Sequence, residues 1–167
     1  MKIELATTKE SIQQIEELGR EIWTEHYTPI IGIEQVNYML DKFQSARAIT
    51  EQIGEGYLYY QLVEEGELIG YLAIQKREES LFLSKIYVRK DQRGKGFGRQ
   101  AMEFVFDQAK AMNCEKVNLT VNKYNEGSIK SYEKMGFQNV GDAVFDIGEG
   151  FVMDDFLFEF RVLGSRC

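Results

Sequence analysis

The chain has 167 residues, a formal net charge of −7 and a single proline among 11 Phe and 9 Tyr. That length fits one domain with a sizeable core, because a domain of about 150 residues buries roughly 70% of its unfolded surface. The acidic balance argues against a nucleic-acid partner, the aromatic content excludes a disordered chain, and no run of about 18 apolar residues predicts a membrane span.

The opening Met1-Lys2-Ile3-Glu4-Leu5 lacks the apolar core of a signal peptide. Lys2 to Ala6 reads as a short strand, and Thr7 or Thr8 as the cap of a helix carrying Ile12, Ile15, Leu18, Ile22 and Trp23 at helical spacing. Thr28-Pro29-Ile30-Ile31-Gly32 is expected to break it. A second helix starts near Ile33, with Val36, Met39, Leu40 and Phe43 on one face, and Ser45 caps a third short piece with Ala48, Ile49 and Ile53. Two strands, 57–63 and 68–74, flank the hairpin signal Glu64-Glu65-Gly66-Glu67. A third, 81–88, leads into a glycine-rich turn and a helix to about Met112. Lys116 to Asn122 alternates Val117, Leu119 and Val121, and its arrival by way of a helix predicts pairing parallel to the 81–88 strand. Asn125 to Met135 is a short helix, N-capped by Asn125 and ended by Gly136. Two strands about a turn at Gly148-Glu149-Gly150 close the chain, the second with Phe156, Phe158, Phe160 and Val162 in alternation. The sum is an α+β class with a mixed sheet of about seven strands and about four helices, containing one internal β-α-β unit. Cys114 and Cys167 form neither a disulfide framework nor a metal-binding spacing, so no metal is expected and both read as reduced thiols of a cytoplasmic protein.

The glycine turn is the densest chemical signal. Gly94, Gly96 and Gly98 stand where a strand passes into a helix, and from Arg89 to Arg99 five bases (Arg89, Lys90, Arg93, Lys95, Arg99) face one acid, Asp91, a local +4. Helix-start amides lack intrahelical partners and glycines let backbone close on a ligand, an arrangement suited to phosphate. No GxxxxGK[ST] occurs, and Arg99 stands where the third glycine of GxGxxG belongs, which excludes a P-loop and a Rossmann fingerprint. An ordinary glycine turn on a solvated basic face is the competing reading.

Arg93, Gly96 and Gly98 match R-x-x-G-x-G, which resembles the acetyl-CoA loop of the GNAT acetyltransferases. Asn125, Ser128, Ile129, Tyr132, Gly136 and Phe137 match N-x-x-S-I-x-x-Y-x-x-x-G-F, which is similar to the second signature of that family. The resemblance covers Leu68 to Phe137 well and the last hairpin loosely. It implies a sheet splayed between two central parallel strands, with acetyl-CoA as co-substrate: the backbone of Ile86, Tyr87 and Val88 on the pantetheine arm, the amides of Arg93, Gly94, Lys95, Gly96, Phe97, Gly98 and Arg99 on the pyrophosphate, Asn125 on the pantetheine or ordering the loop, and Tyr132 beside the thioester sulfur as catalytic residue. Read alone, a tyrosine placed as Tyr132 is more often a core residue with its hydroxyl satisfied, and Asn125 is fully explained as an N-cap.

The implied reaction is N-acetylation of a primary amine. Many members of the family carry a glutamate in the central strand, whereas this strand offers Phe82, Ser84 and Tyr87, none of them a carboxylate. Glu79 precedes the strand. Ser84 can hold a water, a water relay is the expected route for the proton, and Glu25 and His26, at the end of the first helix, are expected on the acceptor side. The segment from Trp23 to Tyr27 and the last hairpin resemble those of polyamine acetyltransferases, and Glu21, Glu25, Glu149, Asp154 and Asp155 suit a cation or, equally, solvent. The expected partner is a small-molecule amine, a homodimer being allowed. The alternatives are a protein N-terminal or lysine acetyltransferase and a CoA-binding regulatory module without turnover.

Overall fold

The computed structural model describes residues 1–162, so Cys167 lies outside the described residues. Seven strands and five α-helices follow in order: β1 (Lys2–Leu5), α1 (Lys9–Ile31), α2 (Ile33–Phe43), α3 (Ala46–Gly54), β2 (Leu58–Glu64), β3 (Glu67–Arg77), β4 (Ser80–Val88), α4 (Phe97–Ala111), β5 (Lys116–Asn122), α5 (Glu126–Met135), β6 (Gln138–Gly148) and β7 (Phe151–Arg161). The sheet is mixed, as the sequence predicts. The described chain forms two compact units, one of Met1–Gln75 with Ser84–Val105, the other of Lys76–Leu83 with the described residues from Phe106.

In the first unit, Thr8 caps α1 reciprocally: its hydroxyl accepts from the Ser11 amide at 3.0 Å, and Ser11 Oγ accepts from the Thr8 amide at 3.1 Å. Ile15, Leu18, Ile22 and Trp23 form the buried stripe of α1 and meet a core that includes Ile49, Tyr59 and Tyr71. Each such side chain contributes about 1.5–3 kcal/mol by leaving water. The break expected at Thr28–Gly32 falls only at its end. Pro29 sits inside the last turn of α1, where Thr28 Oγ1 donates to the Thr24 carbonyl at 2.5 Å and the Gly32 amide closes on the Thr28 carbonyl at 2.9 Å. A proline this near the C-terminus forfeits one helical bond without ending the ladder before Gly32, whose φ of 86° does end it. The third helical piece is a full α-helix, which raises the count to five: the Ser45 hydroxyl accepts from the Ala48 amide at 3.1 Å and Glu16 accepts from the Ala46 amide at 2.6 Å. β1, β2 and β3 are antiparallel neighbours, joined between β2 and β3 at Glu65 and Gly66, both with positive φ. β4 lies beside β3. A Cβ at Gly70 would stand 2.3 Å from the Tyr87 carbonyl oxygen, so this glycine permits the close approach of β4.

In the second unit the start of β4 pairs in parallel with β5, Ser80–Phe82 against Lys116–Asn118, while β4 itself runs on to Val88 and β5 to Asn122. β5 pairs antiparallel with β7, and β7 with β6. Val117, Leu119 and Val121 are buried on one face of β5, with Asn118, Thr120 and Asn122 on the other. Phe156, Phe158 and Phe160 share one face of β7, where Phe160 stacks on Phe106 with centroids 4.1 Å apart and Phe137 packs alongside.

Candidate functional site

The glycine loop forms as its sequence demands. After β4, Lys90–Gln92 make one 3-10 turn and α4 begins at Phe97. Gly94 (φ 78°) and Gly96 (φ 85°) occupy left-handed backbone, which a side chain would strain. A Cβ at Gly94, Gly96 or Gly98 would meet no atom within 4 Å, so the loop is open to a ligand at its backbone. The first α-helical bond runs from the Gln100 amide to the Gly96 carbonyl at 3.1 Å, leaving the amides of Phe97, Gly98 and Arg99 in the unpaired first turn. The Phe97 side chain is buried in the core, so only its amide faces the loop. This fits a diphosphate bound by backbone.

The charge is less than the sequence count implies. Arg89 is held by Asp91 at 2.6 Å and Glu67 at 3.2 Å, bonds that raise its guanidinium pKa, and Lys90 lies 4.0 Å from Glu25. Arg93 Nε donates to the Val88 carbonyl at 2.9 Å, tying the loop to the end of β4, and Lys95 Nζ reaches Gln92 Oε1 at 3.2 Å. Arg99 is exposed on α4. Ile86, Tyr87 and Val88 are half-buried; the Val88 carbonyl has one lone pair taken by Arg93, and the Tyr87 ring packs on Trp23 (5.7 Å) and Tyr71 (5.5 Å).

The end of α1 supplies an aromatic patch. The Tyr27 ring lies 4.7 Å from Trp23 and 4.8 Å from His26, and its hydroxyl is 3.4 Å from that of Tyr87. His26 is half-buried and Glu25 exposed at this helix end. Ser84 does not join them: strand alternation places it with Ile86 on the face of β4 opposite Lys85 and Tyr87. A separate cavity of about 480 Å³ is lined by Glu4, Glu17, Glu21, Gln14, Gln61 and Arg89, so Glu21 belongs there.

In the second unit Tyr132 is half-buried on α5, its ring 5.7 Å from Phe137 and edge-on to Phe158 at 6.4 Å. Asn125 is 3% exposed at the N-cap position of α5. Its side chain makes no capping bond, contrary to the reading of it as an ordinary cap; Asn122 instead turns back, Oδ1 accepting from the Tyr124 amide at 2.9 Å. Of the acids in the last hairpin, Glu149 sits in the turn and Asp154 is engaged by Lys123 at 2.9 Å, which also reaches Asp142 at 2.8 Å. Asp155 is 3% exposed.

One cluster has no counterpart among the residues singled out from sequence. Lys85, 6% exposed, donates to the Phe43 carbonyl at 2.7 Å, to Gln52 Oε1 at 3.2 Å and to the Tyr59 hydroxyl. Burial pushes its ammonium down to about 7. A lone lysine inside the apolar run Leu81–Val88 is the signal that marks it. No group of metal-ligating side chains occurs among the described residues, and no described helix is long and apolar enough to cross a membrane.

The family model of the acetyltransferase (GNAT) family matches residues 13–137. The chain is 28% identical over 93 residues to the [ribosomal protein bS18]-alanine N-acetyltransferase of Escherichia coli, covering 56% of this chain and 63% of that one. It is 22% identical over 128 residues to a probable spermine N(1)-acetyltransferase of Bacillus subtilis subsp. natto, covering 70% and 84%. Its fold is similar to that of the PaiA N-acetyltransferase of Thermoplasma acidophilum solved with coenzyme A, with a TM-score of 0.79 at 20% identity over 96% of this chain and 99% of the other. The chain spans between 30% and 63% of the length of the first curated relatives it matches.

Proposed function

The chain belongs to the acetyltransferase (GNAT) family, and from that membership and the loop geometry we propose that it is one acetyltransferase domain, working in the cytoplasm, that transfers acetyl from acetyl-CoA to a primary amine. The observation that carries this is the left-handed backbone at Gly94 and Gly96 running into the unpaired first-turn amides of α4. The amides from Arg93 to Arg99 hold the pyrophosphate, with Arg93, Lys95 and Arg99 adding charge. The backbone of Ile86 to Val88 pairs with the pantetheine arm as an added strand would. Acetyl-CoA supplies an activated acyl group and a thiol of pKa about 8.5 that leaves readily. Tyr132 hydrogen-bonds the developing thiolate and yields its proton to it.

The substrate in this reading is a small, polyamine-like cation. The likeness to a spermine acetyltransferase supports it, as does the exposed Glu25 beside His26 and the aromatic patch. The likeness to an alanine N-acetyltransferase gives the second reading, a protein N-terminus. An alkyl amine of pKa near 10 is about a thousandfold protonated at pH 7, so either substrate needs a group that takes its proton. Thiol release from acetyl-CoA, measured with a panel of polyamines and peptide N-termini, tests the proposal. Polyamine turnover with KM rising with salt is the expected result. Turnover of peptide N-termini alone moves the substrate to the second reading, and no release with any amine overturns transfer altogether.

A further inference from the structure

Within the first unit, the end of α1 meets the end of β4 through aromatic rings. Tyr27, half-buried, is the hub. Its ring stands at 86° to that of Tyr87 with centroids 6.3 Å apart, at 83° to His26 at 4.8 Å, and tilted to Trp23 at 4.7 Å. The Trp23 and Tyr87 rings are 5.7 Å apart at 67°. Near-perpendicular rings turn faces toward different sides of one corner. A ring face is negative and attracts an ammonium within about 6 Å of its centroid. Apolar packing would be served as well by phenylalanines, yet the Tyr27 and Tyr87 hydroxyls meet here at 3.4 Å. A phenol oxygen accepts as well as donates, and an ammonium has three protons to give. Glu25 adds a carboxylate at the same helix end. It is exposed and 4.0 Å from the Lys90 ammonium, so Lys90 neutralises it only weakly.

Tyr87 ties this corner to the reaction. It is the middle residue of the Ile86–Val88 segment, whose backbone is proposed above to pair with the pantetheine arm. A substrate nitrogen on these rings therefore lies beside the strand that guides the thioester. That nitrogen is not the one that reacts. Ring faces and a carboxylate favour its charged form, whereas the attacking nitrogen must be neutral. We propose that Trp23, Tyr27 and Tyr87 hold a second, non-reacting ammonium of the acceptor, so that the enzyme selects diamines and polyamines over monoamines; this rests on the acetyl-transfer reading. Tyr27 is then a specificity-determining residue, contributing to substrate binding and not to the chemical step.

Trp23 is the only tryptophan of the chain, so its fluorescence reports on this corner directly. Wild type should show a saturable change with tetramethylammonium and none with tert-butanol, an uncharged molecule of similar shape. In turnover, putrescine should be preferred to butylamine in kcat/KM. Tyr27→Leu keeps apolar bulk and removes the ring. It should reduce that preference about 2- to 30-fold, with the loss in the KM for putrescine. Tyr27→Phe keeps the ring and should retain most of the preference. A preference unchanged by Tyr27→Leu overturns the assignment. So does a fluorescence response that is absent, or equal for the two probes. If Tyr27→Leu fails to fold, the wild-type titration decides alone. Wild type that responds to tetramethylammonium yet releases no thiol with any amine overturns the acetyl-transfer reading and leaves the cation site standing. Wild type that turns over putrescine without that response overturns the cation site alone.

Discussion

Lys85 in the first unit and Asp155 in the second are both charges buried in a small domain, and their surroundings differ in kind. The Lys85 ammonium is met by three neutral acceptors from three elements, the Phe43 carbonyl ending α2, Gln52 of α3 and Tyr59 of β2. Nearby, the buried Tyr71 hydroxyl is spent on Gln44 at 2.8 Å. The Asp155 carboxyl, 3% exposed, has the Thr120 hydroxyl and the charges of Asp154 and Lys123 about it, and burial pushes it up to about 6. A buried polar group whose hydrogen bonds are filled by its own fold acts as structure. The comparison therefore sets a polar corner that holds α2 and α3 on the sheet against a lone acid on β7 that burial draws toward its neutral form.

Tyr132→Phe, in the second unit, tests the chemistry rather than the fold. It removes one hydroxyl and keeps the ring contacts with Phe137 and Phe158. A general acid contributes about 10²–10⁴-fold, and a thiolate is already a fair leaving group, so kcat should fall about 10²-fold. The KM for acetyl-CoA should move little, since the interaction strengthens as charge develops on sulfur. Steady-state rates at saturating amine decide it: activity within about twofold of wild type returns Tyr132 to the core, and loss of CoA binding makes its hydroxyl a support for the loop.

Lys85→Met should act on stability and leave kcat alone at moderate temperature. Stranding the Phe43 carbonyl, Gln52 and Tyr59 costs about 1–3 kcal/mol, or roughly 2–12 °C in melting temperature for a chain of this size. The pH dependence sharpens the prediction. The folded ammonium is lowered to about 7, so between that pH and the unfolded value near 10.4 the unfolded chain binds the extra proton and stability rises with pH. Wild-type stability relative to Lys85→Met should therefore grow between about pH 6.5 and about pH 9 in denaturant titrations. A flat or shrinking difference would show that the lysine stays charged in the fold.

Local signals were legible in sequence and distant pairings were not. The glycine loop, the Thr8 and Ser45 caps and the alternation of β5 each depend on residues a few positions apart, and each formed where the pattern placed it. Pro29 was read as a break because its local cost is real; a position in the last helical turn made that cost small. The count of five bases around the loop missed that Arg89 is spent on Glu67, 22 residues away in the chain. Lys85 reaches a carbonyl 42 residues back, and Asp155 comes opposite Asn122 only once β5 and β7 pair. A lone lysine in an apolar run marks Lys85, but nothing in the local pattern names its partners or sets Asp155 apart from a surface charge.

The most direct measurement of the central claim, that the open backbone of the glycine loop holds CoA, is calorimetric titration of CoA into wild type and Gly96→Glu. Position 96 has left-handed backbone and open space before it, so the new carboxylate would stand among the amides proposed to hold the pyrophosphate. The account predicts CoA binding to wild type, far weaker binding of NAD and ATP, and no CoA binding by a folded Gly96→Glu. Equal CoA affinity in the two proteins would contradict it and place the phosphates elsewhere.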